Sequence, residues 1–580
     1  MAMETRSCQN CKKDFTVEPD DFEFYEKIKV PPPTFCFDCR LKRKLAYINE
    51  RTLFKRKCDS CSQDTISMYS PKSEYKVFCT KCYNNRNDCR EYGKEYDFSR
   101  PFFEQFNELL KKVPRLHLMH KNNNAERCEY ANYTYKSRNV YLSFAVVRSE
   151  DVYYCKQVQG GNKICVDSYN AKDSERVYEL VDGSRDYNSQ FLIRSSRCID
   201  SAFLFDCREC NNCFMSSNLR NKSYVFKNKQ LSRAEYFEAI KDFLLDSYKV
   251  QQKLKKEFFE LAKNSIRLPA FVKNVENVSG DFIGNSKNAH YCFGNIDTEN
   301  SKFIVFGVNT IRDCYDLVFG GRNELVYEVA GGGTANNSDS FCIDIGSSYD
   351  INYCISCNDD KNLFGCVGID KKQYCILNKQ YTKKDYEKII PKIIEHMNSM
   401  PYIDKKGRVY RYGEFFPTEL SPFAYNESLA YEEYAMEKGE VAEEGYEWRD
   451  LEEKYYETSI TSDKLPDSIK EVDDNILNEI IACPNKGKIE TKCTFGYKIN
   501  SDELRFYRLM KIPLPRYCPN CRYYERRRWV NPFKLWHRLC MCNKDHPNHT
   551  GKCLNEFETS YAPERPEIVF CEKCYQQEVY

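Results

Sequence analysis

The sequence predicts a mainly β protein: duplicated β-solenoid-like repeat arrays, each closed by a helix, flanked by small α+β zinc modules of treble-clef and zinc-ribbon type. Three observations predict it. Paired C-x-x-C motifs crowd both ends of the chain. Short apolar segments recur about every twelve residues through the middle, and that middle occurs twice.

With 580 residues, the chain is too long for one hydrophobic core, so several domains are expected. The net charge of +2 excludes a global basic or acidic field, and any electrostatic partner must be read from local runs. Met1 to Arg6 leads directly into Cys8 with no apolar signal segment, and no run of about 18 apolar residues occurs, so a cytoplasmic setting without a membrane partner is expected. The 32 cysteines would then stay reduced, and their C-x-x-C spacing favours zinc over disulfides.

At the N-terminus, Cys8, Cys11, Cys36 and Cys39 form one set, and Cys58, Cys61, Cys79 and Cys82 form another. In C-x-x-C a tight turn aims both sulfurs at one point, and two facing turns make a tetrahedral four-sulfur site with no position left for water. The C-terminus repeats this plan. A shift of 482 positions carries Cys11, Cys36, Cys39 and Cys58 onto Cys493, Cys518, Cys521 and Cys540, with Phe24-Tyr25 falling on Phe506-Tyr507. Cys483 stands in for Cys8. A shift of 492 then carries Cys61, Cys79 and Cys82 onto Cys553, Cys571 and Cys574. The ten-residue insertion between the two registers, MCNKDHPNHT, brings Cys542, His546 and His549. Cys540 is the aligned fourth ligand of the last site, and Cys542 is its rival. Four structural zinc sites are therefore predicted. The pattern after Cys39 turns helical, as in a treble clef, whereas VFCTKCY and VFCEKCY suggest a strand leading into a ribbon knuckle.

The first module carries a basic run. Cys36 to Cys58 holds eight Lys or Arg against two acids, and Cys518 to Cys540 is similarly basic. Four thiolates around a zinc ion leave about two negative charges to offset, fewer than the excess. The surplus allows a solvated face, a protein-facing surface or a phosphate-binding surface. On the last reading, Arg40, Lys42, Arg43, Lys44, Arg522, Arg526, Arg527 and Arg528 would meet RNA or DNA, with Trp529 stacking on bases.

From Asn139 to Phe226 and again from Tyr291 to Ile376, segments such as VYL, FLI and YCI alternate with SRN, SED and NNC, so strand chemistry alternates with turn chemistry. YVFKNKQLSRAEYFEAI from Tyr224 matches YCILNKQYTKKDYEKII from Tyr374, an offset of 150. Each copy ends in a capping box, Ser232 with Glu235 and Thr382 with Asp385, that opens a helix. Such repeats must stack to bury a face, and an antiparallel meander is the rival of the solenoid. Cys207, Cys210 and Cys213 share metal-like spacing, but Cys342, Cys354, Cys366 and Cys375 sit at inward strand positions, where Cys serves as a small hydrophobe. The expected boundaries are an N-terminal two-zinc module over 1–93, a helical connector over 94–124, arrays over 125–273 and 274–400, an acidic aromatic linker over 401–480 and a C-terminal two-zinc module over 481–580. The connector helix, Phe102 to Leu110, is expected to dock the first module on the first array. Tyr425 to Ile480 holds 18 acids against 5 bases and reads as a solvated linker or as a cover for a basic zinc surface.

YRYGEFFPTELSPFAYNES from Tyr410 and NEFETSYAPERPEIVFCEKCYQQEVY from Asn555, with the N-terminal cysteine pattern, resemble a family of large multi-zinc proteins from small-genome bacteria of the candidate phyla radiation. The resemblance covers nearly the whole chain. It implies zinc, repeats and a bacterial cytosolic setting, and it implies no reaction.

Nothing marks an enzyme. The seven histidines form no H-x-x-x-H or H-E-x-x-H, and there is no P-loop, no G-x-G-x-x-G and no G-x-S-x-G. Gly331-Gly332-Gly333 reads as a solenoid loop. Asp344, Asp350, Asp359 and Asp360 could serve a carbohydrate-active solenoid only by fold analogy, and turn chemistry explains them as well. The sequence thus predicts a non-catalytic, zinc-stabilised binding scaffold without a small-molecule substrate. Its partner would be RNA or an RNA–protein assembly through the basic modules, or protein through the β-repeat surface.

Overall fold

The computed structural model describes residues 2–120, 125–241, 243, 245–307, 310–324, 326–331, 334–337, 340–450 and 457–580. In it each of the two arrays winds into a β-solenoid, about 20 turns in all. Residues one coil apart pair in parallel: Val177 lies beside Ser189, Leu192 beside Leu204, and Ile351 beside Leu363. The antiparallel meander is thereby ruled out. Among the described residues, antiparallel pairing within the arrays is confined to the hairpins that end them, Val225–Phe226 with Lys229–Gln230 and Gln373–Ile376 with Lys379–Gln380.

The turns are denser than the sequence suggests. Arg185, Asn188, Phe191 and Arg194 of one coil, and Arg197 that opens the next, all have φ between 46° and 58°, so the chain turns a left-handed corner every third residue. Each coil is therefore a frame of short walls rather than a strand and a loop. A left-handed residue with a Cβ costs about 1–2 kcal/mol, and stacking offsets this. The corner amides of Arg194, Arg197 and Asp200 each donate to a carbonyl of the preceding coil, those of Val181, Ser184 and Tyr187, at 2.8–3.1 Å. Among the described corner residues only Ile164 is β-branched, as the crowding of a branched Cβ at positive φ requires. Asn and Asp suit these corners and also pair between coils, as in Asn188–Asp200 at 2.6 Å and Asn170–Asp182 at 2.8 Å.

The residue after each corner points inward. Walls so short leave room only for small or slim side chains: Val177, Leu180, Ser189, Leu192, Ser195 and Cys198 are all buried along this axis. Serine and cysteine are interchangeable here. Ser189 Oγ donates to Tyr187 O and lies 3.5 Å from Cys198 O, and Cys207 Sγ makes the same pair of contacts to Phe205 O and Ser216 O. Cys207, Cys210 and Cys213 thus stand on successive walls of one coil, and their spacing is that of the corners. Each array is closed as expected: Ser232 and Glu235 form a capping box ahead of the Arg233–Ile240 helix, and Thr382 caps the Lys383–Ser399 helix through Asp385 N.

The chain divides into two compact units that do not follow chain order. One holds Met1–Leu118, Ala270–Asp450 and Phe533–Leu535; the other holds Met119–Pro269, Leu451–Pro532 and Trp536–Tyr580. Each unit thus joins a cysteine module to the array remote from it in sequence. The connector helix Phe102–Lys112 accordingly packs on the second array in place of the expected first, with the Phe102 ring 5.3 Å from Tyr353 and 5.4 Å from Phe364. The acidic segment is no free linker. In the first unit Glu414 and Glu444 reach the basic helix, Glu432 pairs with Arg51, and Leu429 N donates to Ile48 O. Between Glu414 and Glu444 it lies against the basic helix and the residues that follow it. Residues 121–124 of the connector, 451–456 of the acidic segment, and Gly332 and Gly333 lie outside the described residues.

Candidate metal centres

All 32 cysteines are free thiols. Sixteen of them gather as four tetracysteine groups: Cys8, Cys11, Cys36 and Cys39; Cys58, Cys61, Cys79 and Cys82; Cys483, Cys493, Cys518 and Cys521; and Cys540, Cys553, Cys571 and Cys574. Within each group all four sulfurs lie within 4.8 Å of one another. Cys11–Cys36 is 3.7 Å, Cys483–Cys521 is 3.8 Å, Cys493–Cys518 and Cys553–Cys571 are 3.9 Å, and Cys61–Cys79 is 4.0 Å. A disulfide needs about 2.05 Å. A tetrahedron with metal–sulfur bonds of about 2.3 Å has edges of about 3.8 Å. The spacing is that of a four-thiolate cage and not of cross-linked cysteine.

The local chain explains the convergence. The first C-x-x-C of the N-terminal module sits in the turn of the hairpin Glu4–Ser7 with Asp14–Val17, and the next set begins in the hairpin Phe54–Lys57 with Asp64–Ser67. Lys12 and Ser62 take φ near 60° there, which lets Lys12 N return to Cys8 O and Ser62 N to Cys58 O. The second pair of each set opens a helix: Cys36, Cys79, Cys518 and Cys571 are N-caps. At the second site the expected strand is present as Val77–Phe78, and Cys79 then opens the short Thr80–Asn84 helix much as Cys36 opens Phe37–Ala46. A helix N-terminus favours the negative thiolate. One bond recurs in all four groups, in which the amide of the helix-opening cysteine donates to the first sulfur. Cys36 N reaches Cys8 Sγ at 3.3 Å, Cys79 N reaches Cys58 at 3.2 Å, Cys518 N reaches Cys483 at 3.4 Å, and Cys571 N reaches Cys540 at 3.1 Å. This places Cys483 in the role of Cys8 and Cys540, not Cys542, in the fourth position of the last cage.

The basic residues go elsewhere than the sequence suggests. Arg40, Arg43, Lys44, Arg522 and Arg526 are buried. In the first unit Arg40 and Lys44 share Asp316, each at 3.0 Å, while Arg43 meets Glu328 at 2.9 Å and Glu414 at 3.3 Å. In the second unit Arg522 and Arg526 share Asp167 at 3.0 and 2.8 Å. Burial would raise the Asp316 pKa, but Arg40 and Lys44 bring it below the usual value. Burial holds Lys44 low despite its partner. Of the remaining candidates, Lys42 pairs with Glu444, the Arg527 guanidinium lies over Tyr169, and Trp529 packs on Phe259 at 5.3 Å; Arg528 is exposed. Five of these nine residues thus meet carboxylates inside the fold: the helices Phe37–Ala46 and Pro519–Arg527 turn Arg40, Arg43, Lys44, Arg522 and Arg526 onto the solenoid.

The acids that receive them were not singled out from sequence. Asp167 and Glu179 are corner residues one coil apart, as are Asp316 and Glu328. Their column continues through Phe191 and Phe203 in one array and Phe341 and Tyr353 in the other. The signal was present, as carboxylates twelve residues apart in apolar surroundings. At one of these cation positions the charge is reversed between the copies. Arg43 aligns with Glu525, and there Lys255 supplies the cation, 3.1 Å from Glu179 and 3.3 Å from Glu525.

The four acids considered for catalysis serve the coil. Asp344, Asp350 and Asp359 occupy left-handed corners, and Asp360 points inward, where its carboxyl Oδ1 accepts from Lys372 N at 2.7 Å. No helix among the described residues is long and apolar enough to cross a membrane. No protein-family description, curated protein or solved structure matches this chain.

Proposed function

We propose that this protein is a non-catalytic binding scaffold. Zinc would hold each tetracysteine cage, in a compartment reducing enough to keep the thiols free, and the solenoid wall would present a repeating surface to a protein partner. The observation that carries this reading is the burial of the basic helices on the acidic corner columns. On this reading the cysteine modules act as clamps on the solenoid rather than as polyanion readers. Four sulfurs fill each cage, which leaves no position for a reacting water.

The exposed walls suit protein better than nucleic acid. In one column Arg138, Glu150, Lys163 and Glu175 pair in register, followed by Tyr187 and Ile199. Charge alternates along this line, and Tyr187 and Ile199 remain 39% and 41% exposed. A phosphate backbone wants one sign of charge, whereas a mixed column ending in apolar contacts is ordinary protein-interface chemistry.

Photo-crosslinking tests the reading. With a photoreactive residue at position 187 or 528, the 187 position should yield protein adducts that Ile199→Lys abolishes and that persist at high salt. RNA adducts at 528, lost steeply as salt rises, would overturn it in favour of the nucleic-acid reading.

A further inference from the structure

The insertion MCNKDHPNHT has no counterpart in the N-terminal module. It lies at the tip of the hairpin Trp536–Leu539 with Glu556–Thr559. Its Cys542, His546 and His549 converge with Cys574, their ligand atoms all within 4.8 Å of one another. Cys574 already belongs to the cage of Cys540, Cys553 and Cys571. We propose a fifth metal site, Cys542, His546, His549 and Cys574, that takes a zinc-class divalent ion and shares Cys574 as a bridging thiolate with the adjoining cage.

Several observations converge on this. Two thiols and two imidazoles make a closed tetrahedral donor set for zinc. Cys542 is completely buried, although it lies in an insertion between two strands. Cys553 N bonds to Cys542 O at 2.9 Å and fixes the new ligand to the old cage. His546 and His549 exchange backbone hydrogen bonds at 2.9 and 3.1 Å, which closes the intervening loop and sets their ring centroids 5.3 Å apart. His549 Nδ1 lies 3.0 Å from Gly551 O, and its Nε2 lies 3.0 Å from Cys574 Sγ. A carbonyl holding the Nδ1 proton leaves Nε2 as the free lone pair, the arrangement that orients a metal-bound histidine. Glu578 lies 3.5 Å from His546 Nε2, a carboxylate beside the second imidazole.

Charge favours sharing. Two divalent ions held by five thiolates and two neutral imidazoles carry about minus one in total, against about minus two for a single tetrathiolate. The insertion therefore adds a metal without adding negative charge to a buried cluster. It also explains why Cys542 competes with Cys540 in sequence: both ligate, each to a different ion.

The inference rests on the zinc reading of the adjoining cage, and the test separates the two. Full-length protein loaded with zinc is weighed by native mass spectrometry and, reloaded with ¹¹³Cd, examined by NMR. Five ions are expected. Four cadmium resonances should lie in the thiolate-rich range and one upfield, where nitrogen ligands place it. His546→Asn with His549→Asn should remove one ion and only the upfield resonance, and Cys574→Ser should shift two resonances together. Four ions in the unaltered chain, all thiolate-bound, would overturn the fifth site and leave the scaffold reading intact. Absence of any thiolate-bound metal would overturn both. A Cys574→Ser change confined to one resonance would overturn the bridge. If the histidine variant fails to fold, the unaltered chain decides by the presence or absence of the upfield signal.

Discussion

Asp316→Asn isolates the docking of a cysteine module on its array. The side chain keeps its shape and loses its charge, leaving Arg40 and Lys44 buried with no carboxylate within their 3.0 Å contacts. Removing one partner of a buried ion pair costs about 3–5 kcal/mol, because the cation that remains is uncompensated. Each 1.36 kcal/mol is tenfold in an equilibrium, so local opening of the Phe37–Ala46 helix should rise by roughly two to nearly four decades. Native-state hydrogen exchange at the amides of that helix reads this directly. Glu299→Gln is the control in the same array, since its pair with Arg312 at 3.1 Å is exposed on both sides and worth about 1 kcal/mol or less. A triple exchange, Arg40→Met, Lys44→Met and Asp316→Leu, should restore most of the protection, because a well-packed apolar replacement of a buried ion cluster is often neutral. The reasoning fails if Asp316→Asn changes protection no more than Glu299→Gln does.

Three further outcomes are expected. Chelation should strip hydrogen-exchange protection from residues 1–93 and 481–580, where structural zinc supplies roughly 10–16 kcal/mol per site, while the coil amides of both arrays stay protected; equal loss in the arrays would contradict the clamp reading. Cys354→Ala should leave the metal count unchanged and cost about 1–2 kcal/mol in denaturant unfolding, since Cys354 is a buried wall residue outside the metal groups; loss of an ion would contradict its inward, non-ligating role. Burial pushes the Asp360 pKa up to about 8, so the folded protein holds a proton that the unfolded chain releases near 4, and stability falls as pH rises between those values. Asp360→Asn, which keeps the acceptor for Lys372 N, should flatten that fall, whose limit is about 1.4 kcal/mol per pH unit; an unchanged pH profile of the melting temperature would refute the assignment.

Much of the metal chemistry was legible because it is local. C-x-x-C spacing and two gapless shifts reach fifteen of the sixteen tetracysteine positions; Cys483 lies on neither, and the choice of Cys540 over Cys542 waited for the fold. The repeat was legible for the same reason, since each coil bonds to its neighbour about twelve residues away. The corner geometry was not. A left-handed turn every third residue shows itself only through stacking, because single residues such as Phe191 or Arg194 have no intrinsic preference for it. The shared role of Cys574 was hidden too, since spacing assigns a cysteine to one cage and only the folded hairpin tip brings His549 to its sulfur.

The sequence by itself determined the cages, the coil period, the duplication and the capped closing helices, all of which rest on contacts between near neighbours or on matched patterns. Only the tertiary structure decided what the positive charge is for. Arg40 and Asp316 are 276 positions apart, and Arg522 and Asp167 are 355 apart. A cation's role depends on what it faces, and the chain order that pairs each module with the remote array is not written in either segment alone.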